Sequence, residues 1–250
     1  MTKLSVNLNK VALLRNQRHT GRPSVPEAAR AVIRGGAHGI TVHPRPDERH
    51  IRRTDVTELA ELLAGEYGGA IEFNIEGNPV AELIELIRRV RPTQATLVPD
   101  SPDAATSDQG WDIAGNARRL RPIIDELHDL GVRVSLFVEA DVAAVHQAKE
   151  VGADRIELYT GPYADAFGTR EGEAVFERYV CAGRAALDLG VGLNAGHDLD
   201  LNNLPKLQQA MPWLAEISIG HAFTADALAY GFETAVGLYI KALGHGSLAA

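Results

Sequence analysis

Short runs rich in Val, Ile, Leu and Phe punctuate the chain at residues 4–8, 39–43, 70–74, 95–99, 133–138, 155–159, 192–195 and 216–220. Each is brief and nearly continuously apolar, the pattern of parallel strands covered on both faces. Their starts lie about 30 residues apart on average, the length of one strand-plus-helix unit. Longer amphipathic stretches separate them. Residues 55–66 place Val56, Leu59, Leu62 and Leu63 on one helical face, and residues 79–90 do the same with Val80, Leu83, Ile84 and Ile87. The same reading predicts helices over 25–34, 114–130, 140–151, 171–189, 204–211 and 222–243, with Gly131, Gly152 and Gly190 marking exits. Eight strands alternating with eight helices predict an α/β fold, a (β/α)8 TIM barrel. A doubly wound open sheet shares the alternation, which does not by itself close a barrel.

Connection lengths are unequal. Helix-to-strand turns are short, whereas the segments 10–24, 100–112 and 160–170 are long and leave the carboxyl ends of strands, where barrel active sites are built. No linker, low-complexity tract or composition break interrupts the pattern, so residues 1–250 read as one domain.

Composition narrows the partners. With 25 basic and 33 acidic side chains the formal charge is −8, and the Lys and Arg are dispersed, which argues against nucleic acid as the main partner and for a small molecule. Cys181 stands alone, so neither an internal disulfide nor a cysteine-based zinc site is expected, in keeping with a reducing compartment. No stretch approaches the roughly 18 uncharged apolar residues of a membrane span, and the first residues lack a signal-type apolar block. A cytoplasmic location without membrane association is the expectation.

Polar residues interrupt the strand ends. Asn7, Asn9 and Lys10 follow strand one, His43 and Arg45 strand two, His197 strand seven and His221 strand eight, while Glu72 and Asn74 fall in strand three and Glu157 and Tyr159 in strand six. An uncompensated carboxylate in such a place is costly. Two readings of Glu72 stand side by side: an interior carboxylate satisfied by an arginine or backbone amides, or a general base whose pKa burial raises. Glu157 is equally a candidate to hold a histidine or arginine in place. Three histidines at equivalent strand ends converge on one mouth, which favours proton-transfer chemistry. The runs Asn194-Ala195-Gly196-His197 and Ile219-Gly220-His221-Ala222 end the two strands where this fold commonly seats a phosphate. Arg15, Arg18, Arg45 and His50 are candidates to supply positive charge for a doubly anionic substrate.

Several longer runs resemble the pyridoxine 5'-phosphate synthase family: residues 6–16 (Val-Asn-Leu-Asn-Lys-Val-Ala-Leu-Leu-Arg-Asn), residues 39–51 from Gly39-Ile40-Thr41-Val42-His43-Pro44-Arg45 through His50, residues 157–164 (Glu-Leu-Tyr-Thr-Gly-Pro-Tyr-Ala), and the two glycine-histidine runs above. The similarity covers almost the whole chain in order. It implies a cofactor-independent barrel enzyme, without a metal, acting on two small phosphorylated substrates, 3-amino-2-oxopropyl phosphate and 1-deoxy-D-xylulose 5-phosphate. By resemblance His43 and Glu72 are the proton acceptors and His197 the donor. Asn7, Arg18, Gly220 and His221 would bind the aminoketone, and Arg45, His50 and Thr106 the deoxyxylulose phosphate. The segment 100–112 would be the mobile loop, and the assembly a homo-oligomer, an octamer built as a tetramer of dimers. Two departures bear on substrate binding: Asn9-Lys10 stand where the family usually has Asp-His, and Asp198 where a glycine commonly follows the histidine. Two other readings use the same residues: a metal-dependent barrel hydrolase with His43, Glu72, His197 and His221 as ligands, and a barrel that binds a phosphometabolite without turnover.

Overall fold

The computed structural model describes residues 1–101, 104 and 106–244. Eight parallel strands close into one barrel in sequence order: β1 (Lys3–Asn7), β2 (Gly39–Val42), β3 (Glu72–Gly77), β4 (Gln94–Leu97), β5 (Arg133–Val138), β6 (Arg155–Tyr159), β7 (Gly192–Gly196) and β8 (Glu216–Ile219). Closure is made by β8 pairing with β1, Lys3 opposite Glu216 and Val6 opposite Ile219. The closed register excludes the open-sheet alternative.

Around the barrel run α1 (Asn9–Asn16), α2 (Val25–Arg34), α3 (Arg53–Tyr67), α4 (Ala81–Val90), α5 (Ile113–Asp129), α6 (Val142–Glu150), α7 (Gly161–Ala166), α8 (Gly172–Leu189), α9 (Leu204–Ala210), α10 (His221–Tyr230) and α11 (Phe232–Ala242). Three differences from the sequence expectation have local causes. The segment predicted as one helix over 222–243 is two, because Gly231 takes φ +84° and ψ 154°, a backbone that effectively only glycine adopts. The first and third long segments contain α1 and α7, of eight and six residues, each shorter than the roughly 11-residue window over which amphipathic periodicity is read. Most consequentially, β3 runs to Gly77 rather than stopping at Asn74.

Alternation on the strands is sharper than a continuous apolar run. Leu4, Val6, Ile40, Val42, Phe73, Ile75, Ala95 and Leu97 are buried apolar residues of the core. Between them stand Ser5, Thr41, Asn74 and Thr96, buried polar side chains that satisfy one another: Ser5 Oγ lies 2.6 Å from Thr41 Oγ1, and Thr96 Oγ1 donates to Asn74 Oδ1 at 3.0 Å. A paired polar group loses little on burial, so this inner lining is tolerated where lone groups would not be.

One buried ion pair fixes the loop that carries the second-strand site residues. Arg15 on α1 donates to Asp55 on α3 (Nη2 to Oδ2, 2.8 Å) and to the His50 carbonyl (3.2 Å). Asn16 Nδ2 also donates to the His50 carbonyl, at 2.9 Å. Arg15 is therefore a scaffold residue, its charge spent on Asp55 rather than held for a ligand.

Candidate functional site

The carboxyl ends of the strands surround a cavity of about 290 Å³, within the usual order of size for a small-molecule site. Its lining includes Asn7, Asn9 and Lys10 from β1 and α1, His43, Arg45 and His50 after β2, Thr106 after β4, Glu157 on β6, His197 and Asp198 after β7, and Gly220 and His221 after β8. Twelve of the fourteen expected site residues thus meet in one place. Arg18 does not, since it lies exposed just beyond α1. Glu72 does not either.

Glu72 is the first residue of β3, at the opposite end of the barrel from the mouth. There it pairs with Lys3 and with Arg133. Burial alone would raise its pKa, but the hydrogen bonds from Lys3 and Arg133 outweigh that and hold it below the usual carboxylate range. The expectation of a catalytic Glu72 is corrected: its side chain is the arginine-satisfied carboxylate of the alternative reading.

The carboxyl that β3 does place in the mouth is Glu76, four residues along the same strand. An apolar-run reading of the sequence ends the strand at Asn74 and so leaves Glu76 outside it. The signal was present, since Phe73 and Ile75 alternate with Asn74 and Glu76 right up to the turn-forming Gly77-Asn78-Pro79. Glu76 Oε2 accepts one hydrogen bond from Asn7 Nδ2 at 3.2 Å. Burial, then repulsion from Glu216 and Asp100, pushes its pKa up to about 8. Glu157 is driven upward as well, by burial and then by Glu76 and Glu216, and its Oε2 has no hydrogen-bond partner. It holds neither a histidine nor an arginine in place. It lies against Gly196, where a Cβ would stand 2.1 Å from Glu157 Oε1 and oblige that carboxyl to move.

A chain of amides joins the first three strand ends. Asn7 Oδ1 accepts the Asn9 N–H at 2.9 Å, and Asn9 Oδ1 accepts the His43 N–H at 2.9 Å. That acceptor role needs an oxygen and no charge, so an asparagine serves at position 9. His43 is fully buried, and burial followed by the charges of Arg45 and His50 holds its pKa well below that of an ordinary histidine. His50 is held at about 4 by burial, then by Arg45 and Lys10. Its Nδ1 accepts the Ile51 N–H at 2.9 Å, which leaves Nε2–H as the donor of the neutral ring.

Arg45 is not a free phosphate grip, because its guanidinium donates to Asp100 at 2.6 Å and both side chains are buried. Ser107 donates to the same carboxylate oxygen at 2.5 Å, while Asp100 Oδ1 has no partner among the described residues. The expected loop over 100–112 is thereby anchored at Asp100 and Ser107; residues 102, 103 and 105 lie outside the described residues. Behind His43 and Arg45 a second cavity of about 50 Å³, walled by Val80, Leu83 and Leu86, is too small for a phosphorylated sugar.

Across the mouth His197 takes φ +83°, an uncommon backbone for a residue with a Cβ and one that clusters at functional sites. Its Nε2 lies 2.8 Å from Thr106 Oγ1 and its Nδ1 2.6 Å from Asp198 Oδ2. The N-terminus of α10 opens beside it with Gly220 as its cap residue and no capping side chain, leaving N–H groups and the positive end of the helix dipole for an anion. The metal-hydrolase reading fails on geometry: Glu72 is at the wrong end, and among the described residues no group of three or more His, Cys, Asp or Glu could hold a metal ion.

Residues 4–245 match the family described as pyridoxal phosphate biosynthesis protein PdxJ. The chain belongs to the PdxJ family. It is 52% identical over 250 residues to the pyridoxine 5'-phosphate synthase of Albidiferax ferrireducens, covering 98% of each chain. Against the pyridoxine 5'-phosphate synthase of Brucella abortus it is 50% identical over 246 residues, covering 96% of this chain and 98% of that one. Among solved structures it resembles phosphoribosyl anthranilate isomerase from Thermotoga maritima with a TM-score of 0.61 at 11% identity, covering 98% of this chain and 99% of that one; the likeness is one of fold. PdxJ membership makes the chain an enzyme of pyridoxine biosynthesis with pyridoxine 5'-phosphate synthase activity. Among the described residues no helix is long and apolar enough to cross a membrane.

Proposed function

We propose that this PdxJ enzyme forms pyridoxine 5'-phosphate by condensing 3-amino-2-oxopropyl phosphate with 1-deoxy-D-xylulose 5-phosphate, with release of phosphate and water, and that Glu76, His43 and His197 move the protons. The observation that carries the reading is the Glu76 carboxyl, buried in the mouth beside His43 and Asn7 with no cation in contact with it among the described residues. Its pKa is pushed up to about 8 by burial, then by Glu216 and Asp100. Imine formation turns a carbonyl oxygen into water and needs an acid; removal of a proton from carbon and aromatisation need a base. A carboxyl poised near pH 8 serves as acid first and as base once it has given up its proton. His43, neutral and buried, accepts a proton without first having to lose one. His197 is the remaining acid, placed across the mouth.

Two anion sites fit the two phosphates. The α10 N-terminus with Gly220, His221 and Asn7 suits one, because uncapped N–H groups face it. Lys10 with the Nε2–H of His50 suits the other; Lys10 lines the cavity, and no described residue forms an ion pair with it. The site therefore concentrates positive charge locally in a chain whose far field is acidic. A cytoplasmic homo-oligomer, an octamer by family resemblance, completes the proposal. Leu14 on α1 and Leu228 and Tyr230 on the neighbouring α10 are exposed, as a contact between copies would need, and Arg18 points outward nearby. Sizing in solution checks this, and a strict monomer contradicts it.

Mass-spectrometric detection of pyridoxine 5'-phosphate from the two substrates tests the whole. Wild type should form it, and Glu76→Gln should not rise above a small residual rate. Equal, background-level product from both would favour a barrel that only binds phosphometabolites.

A further inference from the structure

The histidine that follows the seventh strand is itself followed by an acid whose side chain turns back onto the ring. Asp198 Oδ2 lies 2.6 Å from His197 Nδ1. A carboxylate in that position is poorly suited to touch a substrate phosphate, since two anions would meet at short range. It is well suited to a ring nitrogen. We propose that Asp198 is a positioning residue: its carboxylate keeps a proton on His197 Nδ1 and so presents Nε2 as the atom that exchanges protons with substrate. The inference rests on the reading of His197 as a proton-transfer group.

Three observations support it. First, an ionised carboxylate can only accept, so the short contact fixes the hydrogen on Nδ1 and leaves Nε2 unblocked by the backbone. Asp198 remains ionised through the neutral range, because the hydrogen bond from His197 lowers its pKa more than burial raises it. Second, Nε2 is already engaged by a hydroxyl, Thr106 Oγ1 at 2.8 Å, which can donate or accept and stands where a substrate oxygen would take its place. Third, the acid sits on a braced turn. Asn203 Nδ2 donates to the Asp198 carbonyl at 3.1 Å, Asp200 Oδ1 accepts the Asn202 and Asn203 N–H groups at 2.8 Å each, and Tyr163 donates to the Asn203 carbonyl at 2.7 Å. Tyr159 sets its ring edge-on to the imidazole at 5.5 Å between centroids. The His197 backbone at φ +83° is thus held by a turn that also aims its partner.

The expected effect is moderate, because the Asp198 side chain is 45% exposed and water can replace part of its hold. Misdirecting a proton-transfer ring costs on the order of 10- to 100-fold in rate. In the full-length enzyme Asp198→Ala should lower kcat by about that factor, with the KM of each substrate within about threefold of wild type, and Asp198→Glu should recover part of the loss. Nitrogen-15 NMR of the ring should show the neutral His197 protonated on Nδ1 in wild type and shifted to Nε2 in Asp198→Ala. Added to His197→Asn, Asp198→Ala should cost nothing further. Wild-type kcat with an unchanged ring signal in Asp198→Ala would overturn the proposal, as would an equal loss in the His197→Asn background. A fully active His197→Asn would instead sink the reading of His197, and the ring spectrum would still decide whether Asp198 holds it.

Discussion

Glu72 and Glu76 share one strand, project to the same side by the two-residue period, and meet opposite fates. At the closed end Glu72 is met by Lys3 and Arg133, and its charge is wanted. At the mouth Glu76 meets, among the described residues, only neutral hydrogen-bonding groups, on Asn7 and Ser218, and burial with the field of Glu216 and Asp100 outweighs that of Arg45, so its charge is resisted. Burial acts upward on both. The partners decide the outcome: two cations in direct contact make a structural carboxylate, and neutral contacts leave a proton donor held in reserve. A buried acid is therefore a catalytic candidate only when nothing nearby has neutralised it.

The largest effect should come from removing the reserve proton. Glu76→Gln keeps the shape and the Asn7 contact but cannot cycle a proton, so kcat should fall about 10²- to 10⁴-fold with little change in KM. Steady-state kinetics checks it, and a loss confined to KM would move Glu76 from chemistry to binding. At the other end Glu72→Gln should leave kcat within about threefold of wild type while lowering unfolding stability by roughly 1–3 kcal/mol, because Arg133 loses a charged partner. Urea denaturation reads that cost.

The two ends also differ in how pH acts on them. Glu76, Glu216 and Glu157 have folded pKa values above their unfolded ones, so the stability they allow is fully present below about 4.5 and is lost as pH rises toward the folded values, about 8 for Glu76 and about 7 for Glu216. His43 and His50 act in the opposite direction: folded values below 6.5 mean stability gained as pH rises, complete by about 6.5. The two trends oppose each other up to about pH 6.5, and above it the carboxyls act alone. Unfolding free energy should fall between pH 6.5 and 8, and by roughly 1–2 kcal/mol less in Glu76→Gln. Denaturation series at both pH values would show it, and parallel curves for wild type and variant would contradict it.

The smallest effect is expected at Lys10. Lys10→Gln should raise the KM for one substrate by about threefold to tenfold and leave kcat nearly unchanged, as removal of a single partly screened phosphate contact does. Initial-rate measurements with each substrate varied would separate that from a change in kcat.

Much of this was readable from the sequence, for identifiable reasons. The repeat of about 30 residues and the parallel-strand runs specify the barrel, and residues set beside strand ends, such as His43, His197 and Gly220, fall in the mouth whatever the details of packing. Glu72 is not legible in this way, because apolar density ends the strand at Asn74 whereas β3 continues through a polar inner face to Gly77. Four residues of error move a side chain from one end of a barrel to the other. Arg15 failed for a different reason: its partner, Asp55, lies 40 positions away, and a long-range ion pair leaves no local signature. Asp198 looked like a substrate residue because only the folded turn shows it reaching back to its own neighbour.

The central claim is that one strand carries two glutamates of opposite protonation at neutral pH. Carboxyl carbon-13 NMR on glutamate-labelled enzyme, assigned with Glu72→Gln and Glu76→Gln, reads it directly. The prediction is that the Glu76 signal titrates near pH 8 while the Glu72 signal titrates below the ordinary carboxylate range near 4.5. A Glu76 signal that titrates alongside Glu72 at acidic pH would contradict it.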